Sequence, residues 1–223
     1  DSVASRGLGD VYKRQGQAYF ISIRAIDDVG NISAPISTDG IIADHTGPYG
    51  TNVVDGDSAD IERQNIIDAY TGHWTLFADD LSGLMGHEYA LYDSTDATFI
   101  SNWESIDLDT TVVISDVNLI ADHVYQLHVR GIDQVHYTGA LVSSNGVLID
   151  LSAPEAPQDL VGFFSTERIY LTWSANTEED LSLYKVYAGN QSESITAIVE
   201  TENLTAEAFL PGFEDGQKVY LNI

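Results

Sequence analysis

The side chains to weigh first for chemistry are six histidines and 35 carboxylates, because the chain has no cysteine. His45, His73, His87, His123, His128 and His136 form no HExxH motif, and none has the three or four converging ligands that zinc requires. His123 falls at a turn and His128 at an outward strand position, so these imidazoles read as solvated. The carboxylates group more tightly. "DGDSAD" places Asp55, Asp57 and Asp60 in one loop, and "ADDLSG" adds Asp79 and Asp80. Calcium takes six or more oxygens, and carboxylates gathered beside a turn supply that chemistry. Asp55, Asp57 and Asp60 are therefore the calcium ligands the sequence nominates, although the loop is no EF-hand: Ala59 holds position five, and Asp60 stands where Gly belongs. Asp44 and Asp150, each closing a strand before a linker, are a second place for calcium between domains. No other cofactor is expected.

Catalytic signatures are missing from the sequence: no Gly-x-Ser-x-Gly, no P-loop and no dinucleotide fingerprint. Carboxylate pairs such as Glu178-Glu179 are common in so acidic a chain and single out no acid/base couple. Trp74 and Trp173 read as core, while Trp103 is the tryptophan that exposure would suit. Asn31, Asn190 and Asn203 are glycosylation acceptors only in a eukaryotic source. The chain is expected not to be an enzyme.

The elements that position these groups follow from charge and repetition. Thirty-five acidic residues against nine basic ones give a net charge of −26 over 223 residues. Such a field repels nucleic acid and anionic lipid, which are bound through Lys and Arg. No apolar run approaches the roughly 20 residues of a membrane span. The 43% apolar content still suffices for a packed core.

Self-similarity is the main evidence. Residues 19–48, "YFISIRAIDDVGNISAPISTDGIIADHTGP", align without a gap on residues 125–154, "YQLHVRGIDQVHYTGALVSSNGVLIDLSAP", with ten identities in thirty positions and a spacing of 106. Chance would give roughly two. A third copy begins after Pro154: "DLSLYKVY" echoes "DLSGLMGHEYALY", and "GQKVYLNI" lines up with "GQAYFISI". Tyr125, Leu127 and Val129 alternate with Gln126, His128 and Arg130, the period of a half-buried strand. Asp-Gly, Ser-Gly, Asn-Gly and Pro-Gly turns punctuate such runs. The pattern predicts an all-β, antiparallel chain with Tyr125, Leu127 and Val129 pointing inward.

The stretch from Ala153 to Asn190, with its prolines 154 and 157, Trp173 and Tyr184-x-Val-Tyr187, resembles a fibronectin type III domain, as does Leu210-Pro-Gly further on. "YFISIRAIDDVGNIS" resembles the bacterial, Ig-like relatives of that module. The resemblance implies tandem antiparallel Ig-like β-sandwiches, the first and last truncated. Two departures stand out. Val219 replaces the tyrosine of positions 19 and 125, which puts a corner hydrogen bond in question unless Tyr220 substitutes. His136-Tyr137 replaces Gly30-Asn31, so that loop need not keep one conformation.

"DVYKRQ", Asp10–Gln15, does not fit the repeat, and three of the nine basic residues lie in the first fifteen positions. It resembles the translation of a transposon-end adapter used in preparing sequencing libraries, so residues 1–15 are expected to be non-native. Residues 16–48 then read as the C-terminal strands of a truncated repeat, 49–153 as a complete one and 154–223 as the N-terminal part of a third. The expected role is non-catalytic: spacer and adhesion repeats of a large secreted or cell-surface bacterial protein. The alternative is accessory modules of a secreted polysaccharide- or protein-degrading enzyme whose catalytic domain lies elsewhere. Expected partners are neighbouring repeats and a cell-surface protein or carbohydrate, with neither nucleic acid nor membrane insertion.

Overall fold

The computed structural model describes residues 13–165, 168–191, 194–202, 205–209 and 220–222, and every regular element among them is a strand. Contacts divide the chain into two units, Asp1–Leu151 and Ser152–Ile223.

The first unit holds a β-sandwich within residues 49–151. In one sheet Glu104–Ile106, Leu84–Asp93, Val124–Asp133, Val147–Ile149 and Arg63–Gln64 lie side by side. Thr98–Phe99 adds to Leu84–Asp93, and Val142–Ser143 to Val124–Asp133. Thr111–Ser115, Ala69–Trp74 and Val53–Asp55 form the second sheet. Pairing is antiparallel except where Val147–Ile149 meets Arg63–Gln64, because the chain crosses between sheets after Val53–Asp55.

Side-chain alternation sends Tyr125, Leu127 and Val129 inward, each at 0% exposure, onto Tyr70, Trp74, Leu91, Val147 and Ile149. Gly72 lets the facing strand come close to Leu127, whose Cδ2 a β-carbon there would meet. His128 breaks the outward pattern. It is buried because Tyr92 stacks on it at 4.7 Å and Phe99 closes over it at 5.5 Å.

Matching residues build matching corners in the first two copies. The Tyr19 hydroxyl accepts the Arg14 amide at 2.7 Å, and the Tyr125 hydroxyl accepts the Ile120 amide at 2.9 Å. Gly40 and Gly146 sit at φ +106° and +105°, a conformation that glycine alone adopts freely. Asp27 Oδ1 accepts the amides of Val29 and Asn31, as Asp133 Oδ1 accepts those of Val135 and Tyr137. The loop therefore keeps one conformation in both copies, with His136 taking at φ +68° the left-handed position that Gly30 holds at +92°.

The copies differ in what covers them. Ala18–Tyr19 pairs with Ile41–Ile42, and Ser22–Ile23 with Ile36–Ser37. Ile21 and Ile41 are 49% and 58% exposed, while their counterparts Leu127 and Val147 are at 0%. Among the described residues these strands have no opposing sheet. The connection to the next copy is tight: Tyr49 and Ala78 exchange backbone hydrogen bonds of 2.9 Å in both directions, and Pro48 lies on Gly131 and Gly139 so closely that a β-carbon on either would collide with it.

The second unit pairs Gln158–Ser165, Arg168–Ser174 and Thr205–Phe209 in one sheet and Ser194–Thr201, Tyr184–Gln191 and Tyr220–Asn222 in another. Ile169, Leu171, Trp173, Tyr184 and Val186 form its core, with Trp173 edge-on to Tyr184 at 5.1 Å. The Val219 and Tyr220 side chains, and with them the corner in question, lie outside the described residues.

Candidate functional site

The nominated calcium loop does not present its three carboxylates together. Asp55 ends the strand Val53–Asp55 facing inward at 0% exposure. Its Oδ1 accepts the Tyr70 hydroxyl, its Oδ2 accepts the Gly146 amide at 2.8 Å, and Ser144 bonds to it as well. Gly56, at φ +95°, then turns the chain outward. Asp57 is exposed and accepts the Ser58 hydroxyl, while Asp60 accepts the Asn145 side chain. Asp55 is a structural acid bonded within the core.

Nor are all the histidines solvated. His87 is 1% exposed and lies edge-on to Trp74 and Phe77. His123 Nδ1 pairs with Asp93 Oδ2 at 2.7 Å, and Asp93 Oδ1 accepts the amides of Thr95 and Asp96. The hydrogen bond that His123 makes to the Asp93 carboxylate raises its pKa above the ordinary 6.5, whereas burial lowers those of His87 and His128. Ring-proton NMR across pH 4–9 should show His123 titrating last of the three. A His128 midpoint above that of His123 would contradict the packing described. Trp103, half-buried, lies under the Arg130 guanidinium at 4.1 Å and beside Phe99, so it belongs to the sheet face and offers no open platform.

Carboxylates do converge elsewhere. Oxygens of Asp44, Asp79 and Asp133 lie within 4.8 Å of one another, as do ligand atoms of Asp93, Asp96 and His123. The second group is internally paired, as described above. The first joins three segments: Asp44 follows the strand Ile41–Ile42 of the preceding copy, Asp79 lies in the loop before Leu84–Asp93, and Asp133 closes Val124–Asp133.

Asp44 Oδ1 accepts Gln15 Nε2 at 2.7 Å and the Thr46 amide and hydroxyl at 3.1 Å, and its Oδ2 accepts the Ser82 amide at 3.0 Å. The Gln15 side chain, then the Thr46 amide, outweigh burial and hold Asp44 far below the usual carboxylate range. Asp79 Oδ1 takes the amides of Leu81 and Gly83 and the Ser82 hydroxyl. Asp133 is fully buried, and its Oδ2 has no hydrogen-bond partner. None of the ion pairs among the described residues reaches these three acids.

Two facing sheets, with Tyr125 closing a corner, are the architecture of an Ig-like β-sandwich. No family model matches the chain. It is 27% identical over 208 residues to Exoglucanase B of Cellulomonas fimi, covering 85% of this chain and 18% of that protein's length. The solved chicken CNTN1 FN1-FN3 domains align with 13% identity and a TM-score of 0.43, over 93% of this chain and 69% of theirs.

Proposed function

We propose that these are non-catalytic spacer repeats of a large secreted or cell-surface bacterial protein, setting the distance and orientation of neighbouring domains. The observation that carries this is what the first two copies share. Tyr19/Tyr125, Asp27/Asp133 and Gly40/Gly146 each hold a backbone corner, and the aligned aliphatics line strands. The acid that repeats, Asp27/Asp133, spends its Oδ1 on the amides of its own loop, a structural use. The short Pro48 linker restricts bending, and the net charge of −26 keeps successive repeats soluble and apart. Neighbouring repeats are the partners this role requires, with a surface protein or carbohydrate as the adhesive target.

The 27% likeness to an exoglucanase favours a second reading, accessory modules of a secreted polysaccharide-degrading enzyme. Incubation of the 223-residue chain with cellulose and soluble β-glucan decides between them. The expected result is no release of reducing sugar and no sedimentation with cellulose. Sugar release would overturn the non-catalytic role, and co-sedimentation alone would favour the accessory-module reading.

A further inference from the structure

We propose that Asp44, Asp79 and Asp133 form a calcium site that fastens one repeat to the next. Three acids with oxygens inside 4.8 Å repel one another unless a cation sits between them, and no basic side chain among the described residues pairs with any of them. The orphaned Asp133 Oδ2 is the sharper observation. A fully buried carboxylate oxygen without a donor is costly, and natural structures rarely leave one so.

The first copy supplies an internal comparison. In the same loop Asp27 Oδ2 accepts Asn31 Nδ2 at 2.7 Å. Asn31 is replaced by Tyr137 in the second copy, so Asp133 loses that donor at the place where Asp44 and Asp79 approach. Oδ1 of both Asp79 and Asp133 is taken by loop amides, which fixes each carboxyl and leaves Oδ2 as the oxygen to give.

An all-oxygen, triply anionic set suits a hard cation and not zinc, which prefers nitrogen and sulfur in such sites. Loop-borne ligands from three separate segments fit calcium's flexible coordination better than magnesium's strict octahedron. Bound there, the ion ties the end of the preceding copy to two loops of the next, across the Pro48 linker. The site stands on this geometry, and only its purpose, stiffening, rests on the spacer reading.

The test is calorimetric titration of calcium into the metal-stripped 223-residue chain, with thermal unfolding alongside. One saturable event is expected, with a dissociation constant of about 10⁻⁴–10⁻³ M, as in extracellular calcium modules, together with a higher melting temperature. Asp133→Asn keeps the oxygen that its loop amides need and puts a donor in place of the orphaned Oδ2, facing the Asp44 and Asp79 carboxylates, so it should fold. Asp133→Asn and Asp79→Asn should each weaken binding about tenfold or more, whereas Asp57→Asn should bind like the parent. Several results would overturn the site: no heat or melting shift in the parent, unchanged affinity in both Asp133→Asn and Asp79→Asn, loss in Asp57→Asn, or equal binding of magnesium. None of them bears on the spacer role, which sugar release decides.

Discussion

Asp55→Ala is expected to destabilise the second repeat by about 3–5 kcal/mol, from buried partners left unsatisfied and a small void. The carboxylate sits at 0% exposure and receives the Tyr70 hydroxyl and the Gly146 amide. Tyr70 is itself 1% exposed, so its hydroxyl finds no water when the acceptor goes. Asp55→Asn keeps the shape and one acceptor, and the Tyr70 hydroxyl can rotate to accept from the new amide. Its cost should be nearer about 1–2 kcal/mol. Amide exchange of the central strands Leu84–Asp93 and Val124–Asp133 measures this repeat without interference from the other unit. Asp55→Ala costing less than Asp55→Asn would contradict the hydrogen-bond account.

The same pair of variants carries a pH signature. Burial, ahead of the hydrogen bonds that oppose it, raises the Asp55 pKa above its ordinary 3.8. Between that value and the raised one the folded chain binds more protons at Asp55 than the unfolded chain does. The contribution of Asp55 is thus complete below pH 3.8 and declines as pH rises through the raised pKa. The stability difference between the parent and Asp55→Asn should therefore shrink from low pH toward neutrality.

Asp55 also shows where sequence reading reaches and where it stops. Strand periodicity correctly turned Tyr125, Leu127 and Val129 inward, because alternation is a local property of extended backbone. The all-β architecture was legible for the same reason. Proximity in sequence misled at "DGDSAD": the strand faces Asp55 into the core, and Gly56 then turns Asp57 and Asp60 out to solvent. The converging acids come instead from positions 44, 79 and 133, with no motif linking them and only long-range sheet pairing bringing them together. His128 was misread as outward because its cover, Phe99, comes from a separate hairpin strand pairing with the neighbour of its own. The one signal available in the sequence was the exchange of Asn31 for Tyr137, which removes a carboxylate's donor between two otherwise parallel loops.

Leu127→Ala should cost about 3–5 kcal/mol, whereas Ile21→Ala at the matching position of the first copy should cost under about 0.5 kcal/mol. The two residues hold matching positions of the repeat, 106 apart, between a tyrosine corner and an Asp loop that keep the same hydrogen bonds in both copies. What differs is cover. Leu127 is at 0% exposure beneath Gly72 of the facing sheet, and truncating it opens a cavity that the closely approaching backbone cannot fill. Ile21 is 49% exposed and already half in water, so truncation there removes little buried area. Amide protection of Val129 reads the first substitution, and that of Ile23 the second. Equal losses at the two sites would mean that an opposing sheet covers the first copy as fully as the second.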